Sequence, residues 1–136
     1  MEHATHDRRP LLVLIIDHTP ETRDRYVEML RAVPGVIVRA VDTPYQAMRF
    51  CTEVVPDTVV AEVDPLETAD SKFYEKYRAL GGPMTRIVII APSGDHAIGA
   101  DRTTVLNQPV DSGEFLRSVG VESDARRERR RWRRTH

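Results

Sequence analysis

Three carboxylates close apolar runs in this chain: Asp17 follows "LLVLII" (11–16), while Glu62 and Asp64 end "PDTVVAEVDPL" (56–66). Carboxylates gathered in one place attract a hard divalent cation, and without one they raise each other's pKa. Asp17, Glu62 and Asp64 are therefore the candidate ligands of a weak Mg²⁺ site; no other cofactor is expected. His18, next to Asp17, is a poor ligand for a hard cation. Asp64 precedes Pro65, a turn-forming dipeptide, whereas Glu62 belongs to the apolar run itself.

Other chemistry is thinly supplied. Ser93 in "SGD" has no histidine and acid spaced to activate it. No GxxxxGK[ST] occurs, so no phosphate-cradling loop is encoded. His18 and His96 both fall near strand ends but lack a third ligand, and His3 and His6 lie in a polar leader. Cys51 is the single cysteine, which excludes an internal disulfide and a multi-cysteine zinc site. These features predict a protein that is not an enzyme.

The elements that would position the carboxylates follow from periodicity. The continuous apolar run at 11–16 suits a strand buried on both faces, and "VIVRAV" (36–41), "DTVVAEV" (57–63), "RIVIIA" (86–91) and the weaker "TTVLNQ" (103–108) read as further strands. Between them lie helical patterns. The first, through "DHTPETRDRYVEMLRAV", starts at Thr19-Pro20 and carries Tyr26, Val27, Leu30 and Val33 as its apolar stripe. The second starts at Thr43-Pro44, with Ala47, Met48, Cys51 and Val54 or Val55 facing inward. The third covers 69–80 with Phe73, Tyr77 and Leu80, and a last helix covers 111–119. Strands alternating with helices predict an α/β fold: a doubly wound, five-stranded parallel sheet of flavodoxin-like type, order 2-1-3-4-5. In such a sheet the carboxyl ends of the strands share one crevice. That crevice receives Asp17, His18, Glu62, Asp64, Ala91 and Gln108.

The totals divide the chain in two. Its 136 residues make one domain, expected at 10–120, after a polar leader (1–9) and before an arginine-rich tail (121–136). The net charge is −1, but residues 125–136 alone carry +6, which leaves −7 on the first 124. An acidic domain with a basic tail is predicted. In the tail, Arg126, Arg127, Arg129, Arg130, Arg131, Arg133 and Arg134 with Trp132 could hold a nucleic acid or an anionic surface. No apolar run approaches the ~20 residues of a transmembrane segment, and no secretory signal is visible. A cytoplasmic protein is expected.

The strand-end residues resemble those of the receiver domain of bacterial response regulators. "VLIIDHTPETRDRYVEML" resembles the receiver opening, "PDTVVAEVDPL" the phosphoacceptor strand, and "LNQPVDSGEFL" the segment with a lysine before a proline. The resemblance covers about residues 10–120. It implies a two-component signalling module in which an aspartate accepts phosphate, an acidic pair holds Mg²⁺, and a lysine and a hydroxyl read the phosphorylated state.

Measured against that family, the site is degenerate. Glu62 stands at the phosphoacceptor position and His18 at the second acidic position. Ala91 replaces the Ser/Thr, Gln108 the lysine, and Val105 the aromatic switch residue. Lys72 and Lys76, the only lysines, lie elsewhere. The link from Ala91 to the fifth strand is about a helical turn short, so the family's fourth helix is expected to be abbreviated. The resemblance thus implies a pseudo-receiver: non-catalytic, independent of phosphorylation, acting on other signalling proteins or as a homodimer. The alternatives are a phosphorelay receiver modified on Asp64 or Glu62, and a nucleic-acid-associated protein acting through its tail.

Overall fold

The computed structural model describes residues 9–64, 73–92 and 102–121. The tail arginines with Trp132, the leader through residue 8, Lys72, Ser93 and His96 lie outside these residues. Five strands, β1 (Leu11–Ile16), β2 (Val36–Val41), β3 (Thr58–Glu62), β4 (Arg86–Ala91) and β5 (Thr103–Asn107), alternate with α1 (Pro20–Arg31), α2 (Pro44–Cys51), α3 (Phe73–Arg78) and α4 (Ser112–Val119). The link from β4 to β5 spans only 92–102, as the shortened connection requires; 93–101 fall outside the described residues.

All strand pairs are parallel, and the order is β2-β1-β3-β4-β5. The apolar run of β1 reflects its central place, because a central parallel strand buries both of its faces, whereas β2 at the edge has no fully buried residue. Leu14, Ile16, Val59, Ala61, Ile87 and Ile89 pack on one side with Ala47 of α2 and Tyr77 of α3. Val13, Ile15, Val60, Val88 and Ile90 pack on the other with Tyr26 and Leu30 of α1 and Phe115 and Val119 of α4. Each fully buried Val, Leu, Ile or Phe among them contributes about 1.5–3 kcal/mol over leaving it in water.

Two helix starts differ despite the same Thr-Pro pair. At α2, Thr43 and Gln46 form a reciprocal capping box, with Thr43 Oγ1 accepting from the Gln46 amide at 3.2 Å. At α1 the Thr19 side chain caps nothing; its amide instead donates to Asp17 Oδ1 at 2.9 Å. The helix start thereby serves the carboxylate.

Corrections to the sequence reading concern α2 and the flanks. α2 ends at Cys51, and its inward residues are Ala47, Phe50 and Cys51. Met48, Val54 and Val55 are exposed: an eight-residue helix has a narrow buried stripe, and the valines lie beyond its end. α3 is described only from Phe73, and Leu80 lies past its last residue, Arg78. There Arg78 donates to the carbonyls of Thr85 (2.7 Å) and Gly82 (2.9 Å), closing the turn into β4.

Candidate functional site

Asp17 leaves β1 at the carboxyl edge of the sheet and is buried, with 1% of its surface exposed. Besides the Thr19 amide on Oδ1, its Oδ2 accepts from the Thr22 hydroxyl at 2.5 Å. Glu62, the last residue of β3, is half-buried beside it. Its Oε1 lies 3.0 Å from the same Thr22 oxygen. Its Oε2 accepts from Tyr26 Oη at 3.2 Å and from Gln108 Nε2 at 2.7 Å.

One proton on Thr22 cannot serve both carboxylates. Thr22 Oγ1 is the bridge, and the contact to Glu62 is satisfied when Glu62 is protonated and donates to it. The electrostatics agree. Burial pushes the Glu62 carboxyl above its ordinary value, and the Asp17 charge pushes it further. Burial likewise raises the Tyr26 phenol, helped by the Glu62 charge. Thr22 thus links the two carboxylates, and the other oxygens of Asp17 and Glu62 face the Thr19 amide, Tyr26 and Gln108.

Thr22 and Tyr26 are the residues that sequence reasoning missed. Tyr26 reads as apolar stripe and Thr22 as neutral surface. The available signal was their i, i+4 spacing, which places both on one helix face just after Asp17. Tyr26 fills both roles: its ring stacks on Phe115 at 5.1 Å, and its hydroxyl reaches the site.

The remaining candidates surround the network. His18 and Asp64 are exposed and, with Thr19, Glu62, Pro92 and Gln108, line a cleft of about 240 Å³. Ala91 is buried at the end of β4 and offers only a methyl group. Val105 is half-buried and packs against the cluster under α2 and α3. Gln108 follows β5 and donates its amide to the Ala91 carbonyl at 3.0 Å; its bond to Pro109 is cis.

The donor set does not fit a ready Mg²⁺ site. Among the described residues no three His, Cys, Asp or Glu side chains converge as metal ligands. Asp17 and Glu62 direct their oxygens at Thr19, Thr22, Tyr26 and Gln108, so a cation would have to displace those donors.

No protein-family model matches the chain, and no curated protein sequence does. Solved structures do. A response regulator receiver protein from Burkholderia phymatum superposes with a TM-score of 0.64 at 18% identity, over 85% of this chain and 99% of that one. The fold is that of a receiver domain. The receiver domain of a sensor histidine kinase from Pseudomonas aeruginosa, solved with magnesium in its active-site cleft, matches at TM-score 0.56 and 20% identity, over 81% of this chain and 94% of that one. A pilus assembly protein, CpaE from Caulobacter crescentus, matches at TM-score 0.59 and 18% identity, over 82% and 93%. Here Glu62 and Gln108 line the cleft at these strand ends, and the buried Asp17 joins them from beneath through Thr22.

Proposed function

We propose that the chain is a non-catalytic, phosphorylation-independent receiver-like module, a pseudo-receiver acting through protein–protein contact in a two-component-type pathway of the bacterial cytoplasm. The fold supports the signalling role. The observation that carries the loss of phosphorylation is the engagement of Glu62 by Thr22, Tyr26 and Gln108. A phosphoacceptor must present a free oxygen to the donor. Both Glu62 oxygens are engaged by protein groups, Gln108 brings a neutral amide where the family has a lysine, and Ala91 supplies no hydroxyl.

Mg²⁺ has no essential part in this reading and binds weakly at most. The alternative reading, a nucleic-acid-associated protein acting through its arginine-rich tail, requires that deleting 125–136 abolish polyanion binding together with its steep salt dependence.

The test is intact mass after incubation with a small-molecule phosphodonor and Mg²⁺, beside a phosphorylatable receiver as control. The native chain stays unmodified while the control gains phosphate. A phosphorylated native chain overturns the reading. Asp64 lines the cleft mouth and is exposed, so loss of the adduct in Asp64→Asn would identify a phosphorelay receiver with a displaced acceptor.

A further inference from the structure

At the opposite end of the sheet from Glu62, three arginines from three elements line one open cavity. Arg86 opens β4, Arg102 immediately precedes β5, and Arg117 lies in the last turn of α4. The register explains their meeting. Ile87 pairs with Thr103 and Val88 with Thr104, so Arg86 and Arg102 stand one step earlier on neighbouring strands. Such strands run about 4.8 Å apart, and paired residues share a face. That face lies under α4, because Val88 and Leu106 pack with Phe115 and Val119. Arg102 holds a φ of 57°, the one positive value at a described non-glycine residue.

The cavity, about 280 Å³, is lined by Arg86, Arg102, Thr104, Arg117 and Ser118. Among the described residues no acidic side chain lines it. Among the described residues none of the three guanidiniums has an ion-pair or side-chain hydrogen-bond partner there. Three like charges lining one cavity repel one another, and a bound anion relieves that repulsion. Guanidinium forks match phosphate oxygens in pairs, and the Thr104 and Ser118 hydroxyls add neutral donors.

We propose that this cavity binds a diphosphate group, either free pyrophosphate or the diphosphate of a nucleotide. Three guanidiniums match the charge of two linked phosphates better than that of one. The volume is below the ~300–1,000 Å³ of sites that enclose drug-sized ligands, so a nucleoside would remain outside. The site is independent of the Glu62 cleft and of the pseudo-receiver reading.

The full-length chain is titrated with inorganic pyrophosphate and followed by amide NMR. Saturable shifts are expected at residues 86–88, 102–104 and 117–118 together. The tail arginines also attract pyrophosphate, so the comparison is with Arg86→Gln/Arg117→Gln, which keeps the tail and changes exposed side chains only. Affinity at the cavity should fall at least tenfold in that variant. Unchanged affinity, or shifts in the native chain confined to the tail, overturns the proposal, as does orthophosphate binding as tightly as pyrophosphate. With pyrophosphate bound, ADP distinguishes the source: equal or tighter ADP binding assigns a nucleotide, weaker binding assigns free pyrophosphate.

Discussion

Gln108 donates from Nε2 to Oε2 of Glu62 across 2.7 Å, tying the end of β3 to the residue that follows β5. The two are 46 positions apart in sequence. A neutral amide on a half-buried carboxylate satisfies the oxygen without supplying charge. Burial and the Asp17 charge raise the carboxyl's pKa, and Gln108 brings no positive charge to offset them.

Removing that donor should cost stability. Gln108→Leu leaves Glu62 Oε2 with Tyr26 alone, and an under-satisfied buried polar group costs about 1–3 kcal/mol. Urea denaturation of the native chain and the variant measures the difference. An unchanged midpoint would mean that water replaces the amide at no cost.

The Glu62 carboxyl also sets a pH dependence. Its folded-state pKa lies above the ordinary value because of burial and the Asp17 charge. Between those two values the folded chain holds a proton that the unfolded chain has released. Stability must therefore fall as pH rises through that window. Glu62→Gln cannot titrate, so the Tm of the native chain should decline relative to the variant from the usual carboxylate range upward. A constant Tm difference across that range would show that Glu62 is charged throughout.

Tyr26 separates packing from hydrogen bonding. Tyr26→Phe keeps the ring on Phe115 and loses only the bond to Glu62, for about 1 kcal/mol. Tyr26→Ala also empties a fully buried site and should cost about 3–5 kcal/mol. Equal losses in the two variants, read by denaturant midpoint, would place the whole contribution in the hydroxyl.

The turn before β4 tests backbone proximity. Thr85 is buried, donates to the Pro56 carbonyl at 2.8 Å and accepts from the Gly82 amide at 2.9 Å. A Cβ on Gly81 would lie 2.5 Å from that fixed side chain. Gly81→Ala should thus destabilise the chain by about 1–3 kcal/mol through overpacking. A neutral result in thermal melts would mean that the turn shifts freely.

The sequence by itself determined the alternation of strands and helices, and with it the parallel sheet. The strands expected at 11–16, 36–41 and 86–91 coincide with β1, β2 and β4 to the residue. Strand-end logic also collected Asp17, Glu62 and Gln108 in one cleft. These features are local, or follow from the handedness of the crossovers. Side-chain direction on short elements was less legible. Met48 and Ala47 are adjacent, and the outward turn of Met48 depends on which neighbours α2 meets, not on its own periodicity.

Tertiary structure alone decided which donors serve which acceptors. Thr22 and Glu62 are 40 positions apart, and Tyr26 and Glu62 36. The spacing of Thr22 and Tyr26 places them on one face of α1 but does not say which acceptor on β3 that face reaches. The meeting of Arg86, Arg102 and Arg117 depends in the same way on sheet register and the seating of α4. Periodicity specifies which face of an element is apolar. Contacts between distant residues depend on how packed elements are rotated and registered against one another, and the whole core fixes that at once.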